Sequence, residues 1–85
     1  LVDQVVAHED VYDVAVAKAA ELAAGPVVAH GLAKRAIDRG LDITLSGGLD
    51  LEQQLFAQVF GTDDARTGVQ SFLERGPGNA TFTGR

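Results

Sequence analysis

The apolar residues of this chain are small and helix-spaced, and that combination narrows what the chain can fold into more than any other feature. Of the 39 hydrophobic residues among 85, 13 are Ala and only five are aromatic. Alanine is the strongest helix former and the weakest core former, so helices are expected before a large core is. A chain of this length buries only about 60% of its unfolded surface. With no Cys there is no disulfide framework to compensate, no thiolate metal site and no Cys nucleophile. Stability has to come from packing, in part against another chain.

The first residues break the helical pattern. Leu1, Val2, Val5 and Val6 enclose Asp3 and Gln4 in a short β-favouring run, which predicts an N-terminal strand. From Asp10 the spacing changes, with Val11, Val14, Ala15, Ala19 and Leu22 on one face. This predicts an amphipathic helix ended by Gly25 and Pro26. Pro26 can open a second helix carrying Val28, Ala29, Leu32, Ala33, Ala36 and Ile37, with Lys34, Arg35, Asp38 and Arg39 towards its end and Gly40 at a left-handed C′ position. A third helix is expected from Thr44 to Phe60, with Leu45, Leu49, Phe56 and Phe60 on one stripe and Leu51 and Leu55 beside it. Gly47 and Gly48 lie in its first turns, and each costs about 1 kcal/mol relative to Ala.

Gly61 then turns the chain into a fourth helix. Thr62 or Asp63 can cap it, Asp63 and Asp64 both suit its positive end, and Val69, Phe72 and Leu73 form its apolar face. The stretch from Gly76 to Arg85 reads as an irregular tail anchored by Phe82. The fold class is therefore mainly α: a short N-terminal strand, about four helices and an irregular tail.

Charge and motifs exclude more than they suggest. A net charge of −5 opposes the phosphate neutralisation on which nucleic-acid binding depends. No apolar run approaches the roughly 20 residues of a membrane span, so the chain reads as soluble and cytoplasmic. His8 and His30 have no ligating partner at metal-site spacing. Ser46-Gly47-Gly48 does not complete a nucleophile elbow, no glycine-rich phosphate loop occurs, and Glu52, Asp63 and Asp64 read as caps and surface acids rather than an acid-base pair. One constellation remains: Phe56, with Phe72 and Arg75 at i, i+3 on the fourth helix. An aromatic wall beside a guanidinium suits an adenine ring bearing phosphate. From spacing alone, two core phenylalanines and a solvated arginine is the plainer reading.

The order of the motifs carries a resemblance that no single one does. Leu1-Val2-Asp3-Gln4-Val5-Val6, Gly25-Pro26, Ala33-Lys34-Arg35-Ala36-Ile37 and Leu51-Glu52-Gln53-Gln54-Leu55-Phe56 follow one another. Then come Phe60-Gly61-Thr62-Asp63-Asp64 to Gly68, Ser71-Phe72-Leu73-Glu74-Arg75 and Ala80-Thr81-Phe82-Thr83-Gly84-Arg85. In this series the chain resembles the C-terminal part of the enoyl-CoA hydratase/isomerase, or crotonase, superfamily over nearly all of its length. Thr67, where an acid commonly precedes the glycine, and Arg75, where many members have Lys, depart from the pattern.

The resemblance implies that residues 1–85 are the C-terminal helical segment of a ββα-spiral enzyme, with the oxyanion-hole amides and acid-base glutamates upstream. It implies an acyl-CoA thioester as substrate, no further cofactor, and a homotrimer or hexamer. Hydration of a 2-enoyl-CoA in fatty acid metabolism is the first activity it suggests, with isomerase, hydrolase and decarboxylase as alternatives. By position, Phe56, Phe72 and Arg75 match residues at the adenine and phosphate end of the coenzyme A site. The segment alone is then expected to be inactive. From a different class, a free-standing helical interaction module fits the same residues.

Overall fold

A computed structural model of the chain describes residues 2–85. After a single 3-10 turn at His8–Asp10 come four helices: α1, Val11–Ala23; α2, Val27–Gly40; α3, Leu45–Val59; and α4, Asp63–Arg75. An irregular tail follows. Two starts are set by threonine. Thr44 Oγ1 accepts the Gly47 N–H at 3.3 Å, and Thr62 Oγ1 accepts the Ala65 N–H at 3.0 Å. Each satisfies an amide that the first helical turn leaves free.

No strand forms among the described residues, which corrects the reading of the N-terminus; Leu1 lies outside them. Val2, Val5 and Val6 instead flank a shallow cavity with Val11, Val14 and Ala15 of α1. A β-favouring run becomes a strand only when a neighbour pairs its backbone, and here no neighbour does.

Packing centres on α2 and α3. Leu55 of α3 is the one buried apolar residue among the described residues. Gly40 does not adopt the left-handed conformation expected of it, since Leu41 caps α2 with φ −74° and, among the described residues, positive φ occurs only at Gly76, Gly78 and Gly84. It serves a different purpose. A Cβ on Gly48 would stand 3.3 Å from the Gly40 carbonyl oxygen, so the bare backbones let the end of α2 meet the start of α3. Gly47 and Gly48 therefore lie inside a helix that begins at Leu45 in spite of them.

The chain as a whole is open. Its radius of gyration is 16.0 Å, against about 12 Å for a compact domain of this length. It exposes 6889 Å², about 2,000 Å² more than a compact monomer of its mass would. Phe56, Phe60, Phe72, Val69 and Leu73 all remain exposed, so the apolar face expected of α4 is present and uncovered.

Candidate functional site

The N-terminus of α4 and the tail are tied together through Asp64. Its carboxylate accepts the Thr83 N–H at 2.7 Å and the Thr83 hydroxyl at 3.2 Å on Oδ1, and the Gly84 N–H at 2.8 Å on Oδ2. In return the Asp64 N–H donates to the Arg85 carbonyl at 2.9 Å. Every other side-chain hydrogen bond among the described residues spans at most four residues, whereas these span 19 and 20.

Asp64 is only 2% exposed. The Thr83 amide above all holds its carboxyl below the usual carboxylate range, against the opposing effect of burial, with the Gly84 amide, the Thr83 hydroxyl and the Arg85 backbone adding to the lowering. With both oxygens engaged, Asp64 is not available as a general base. Asp64 stands in the first turn of α4 as expected, with Thr62 as the cap; its reading as a surface acid is corrected, because its carboxylate is buried and accepts from tail amides rather than from those of its own helix. Asp63 points elsewhere and pairs with Arg66 at 3.4 Å in solvent.

The tail completes a cavity of about 350 Å³ along α4, lined by Gly68, Ser71, Phe72, Asn79, Phe82 and the turn at 76–78. Phe82 lies over Gly68, its ring 3.5 Å from where a Cβ would stand. The Asn79 amide closes the turn by donating to the carbonyls of Arg75 at 2.9 Å and Pro77 at 3.0 Å. Ser71 is buried, and its hydroxyl accepts Arg75 Nη2 at 3.1 Å, drawing an otherwise exposed guanidinium back along the helix. An aromatic wall, a held arginine and a small cavity thus share one helix.

Phe56 is not part of this cavity. It lines a separate apolar groove of about 390 Å³ between α2 and α3, with Leu32, Ile37, Leu55 and Glu52 among its neighbours. Its ring meets Phe60 edge to face at a centroid distance of 5.1 Å. Within the chain, then, Phe72 and Arg75 share α4, linked through Ser71, which lines the cavity with Phe72 and holds the Arg75 guanidinium, while Phe56 is kept apart. Asp64, Ser71 and Phe82 were not legible as parts of a site. Ser71 stands at i, i+4 from Arg75, a signal that was present; the partnership of Asp64 with Thr83 leaves no local trace.

Among the described residues no group of three His, Asp or Glu side chains could hold a metal ion. No helix there is long and apolar enough to cross a membrane.

The family model described as "Enoyl-CoA hydratase/isomerase" matches residues 1–85. The chain belongs to the enoyl-CoA hydratase/isomerase family. It is 44% identical over 69 residues to a "Probable enoyl-CoA hydratase" of Rhodobacter capsulatus, covering 81% of this chain and 26% of that one. It is 35% identical over 75 residues to a "Probable enoyl-CoA hydratase" of Rhizobium meliloti, covering 88% and 29%. It is 28% identical over 79 residues to the "Enoyl-CoA hydratase, mitochondrial" of Pongo abelii, covering 93% and 27%. The chain thus spans between a quarter and three tenths of the length of these relatives. No solved structure gives a significant match to it.

Proposed function

We propose that this chain is the C-terminal helical part of an enoyl-CoA hydratase-like enzyme, which adds water across the double bond of a 2-enoyl-CoA in fatty acid metabolism. The observation that carries the reading is the family match along the whole chain. The surface left open by α1 to α4 agrees with it, because about 2,000 Å² of excess exposure is what a larger assembly would cover.

In this reading the reacting carbons are handled by upstream residues, and the present helices contribute subunit contacts and one end of the substrate site. Phe72 and Arg75 receive the adenine and phosphate end of coenzyme A. Phe56 adds an apolar surface from the α2–α3 groove, next to a neighbouring subunit. Closed assembly as a trimer, or as a dimer of trimers, would bury the exposed phenylalanines.

The test is to express the full-length protein carrying this segment, determine its mass in solution, and follow loss of the conjugated thioester absorbance of crotonyl-CoA. Saturable hydration by a trimer or hexamer supports the proposal. A monomer that neither binds nor transforms acyl-CoA would remove it and favour the interaction-module reading. Migration of the double bond without hydration would move the assignment to an isomerase.

A further inference from the structure

The only long-range side-chain hydrogen bonds among the described residues converge on one carboxylate, and they hold the segment that walls the cavity beside Phe72. We infer that Asp64 is a positioning residue for the nucleotide end of the substrate: by pinning Thr83 and Gly84 it sets Phe82 against Gly68 and so shapes the cavity that Phe72 and Ser71 share.

The geometry supplies each link. Both carboxylate oxygens accept backbone amides, which fixes the tail in direction as well as in distance, and the Asp64 N–H adds a return bond to the Arg85 carbonyl. Phe82 immediately precedes the first pinned residue, so its ring has little freedom to leave the face of Gly68. Phe82, Ser71 and Phe72 line one cavity, while the Ser71 hydroxyl also holds Arg75. Releasing the tail therefore removes one wall of the cavity and leaves Phe72 and Arg75 in place on α4. An uncharged amide at position 64 cannot substitute: it has one acceptor oxygen, and its NH₂ would face an N–H donor. Asp64 touches neither the thioester nor the reacting carbons in this scheme, so it acts on binding.

This inference rests on the proposed placement of the nucleotide at α4, and the experiment separates the two. In the full-length enzyme, Asp64→Asn and Thr83→Val are compared with wild type using crotonyl-CoA and crotonyl-pantetheine, which lacks the nucleotide. Amide exchange at Thr83 and Gly84 is followed in parallel. Asp64→Asn is expected to speed exchange at both amides and to raise KM for crotonyl-CoA about tenfold with kcat within about twofold. KM for the pantetheine thioester should not change. Thr83→Val removes only the hydroxyl bond and should give a smaller shift of the same kind, which keeps the test alive should Asp64→Asn fail to fold. Faster exchange in either variant with an unchanged ratio of the two KM values overturns the positioning role. If Phe72→Ala and Arg75→Ala also leave that ratio unchanged, the placement of the nucleotide is what has failed; if they raise it and the tail variants do not, the placement stands and the role of Asp64 falls.

Discussion

The backbone of Gly48, one turn into α3, rests against that of Gly40, the last residue of α2, so closely that a Cβ on Gly48 would lie 3.3 Å from the Gly40 carbonyl oxygen and 3.5 Å from its Cα. Both neighbours are main chain and cannot swing aside as a side chain would. Gly31, in the middle of α2, has nothing within 4 Å of its Cβ position. The two glycines should therefore respond to alanine with opposite signs. Gly31→Ala is expected to stabilise by about 0.5–1 kcal/mol through helix propensity and the unfolded chain. Gly48→Ala should destabilise in spite of the same propensity gain. Thermal midpoints of the two variants against wild type check the pair.

A second steric test falls on the tail. Gly84 has φ +76°, and a Cβ there would stand 3.0 Å from Val27 Cγ2 on α2. An alanine has to bear both a left-handed backbone and a contact with α2. A loss of about 1–2 kcal/mol is expected for Gly84→Ala. Val27→Ala opens the space and should recover part of the contact cost and none of the backbone cost, which a double-mutant cycle in urea would resolve.

The Asp64 clamp has a defined pH dependence. Its carboxyl is held below the ordinary value of 3.8 in the folded state, first by the Thr83 amide. A depressed folded value means that the clamp contributes fully above 3.8 and is lost as pH falls through the folded value, below that point. At neutral pH the tail should be pinned. Amide shifts of Thr83 and Gly84 followed by NMR during acid titration should move together at a pH below 3.8, and Asp64→Asn should abolish that transition.

Arg75 is expected to matter for binding and not for chemistry. Loss of a charge-assisted hydrogen bond to phosphate costs about 1.5–3 kcal/mol. Arg75→Ala should accordingly raise KM for acyl-CoA by about tenfold or more while kcat changes little. With a ligand lacking the 3′-phosphate the variant and wild type should be nearly equal. Unchanged acyl-CoA affinity in an intact oligomer would return Arg75 to the status of a solvated arginine.

The chain by itself should be catalytically silent, because both Asp64 oxygens are occupied, Asp63 is paired with Arg66, and the acid-base glutamates are expected elsewhere. Its exposed phenylalanines should also make it self-associate. Crotonyl-CoA hydration by the purified 85-residue chain that disappears in Glu52→Ala would relocate the active site.

Helix positions were legible because their causes are local. Thr44 and Thr62 cap amides three residues on, and the apolar spacing of α1 to α4 repeats within each turn. The resemblance of ordered motifs was legible for the same reason, since it is carried by the one-dimensional order of residues. The tertiary structure decided what depends on distant partners. Val2, Val5 and Val6 found no strand to pair with; Gly40 and Gly48 proved to be a point of backbone contact; and Asp64, placed at a helix start like its neighbour Asp63, turned to residues 19 and 20 further along. Phe56 and Phe72 look equivalent as aromatic residues on consecutive helices, yet they line different cavities. Local preference sets which residues form a helix, but the direction in which a carboxylate or a ring points is settled by which distant backbone comes within about 3 Å of it.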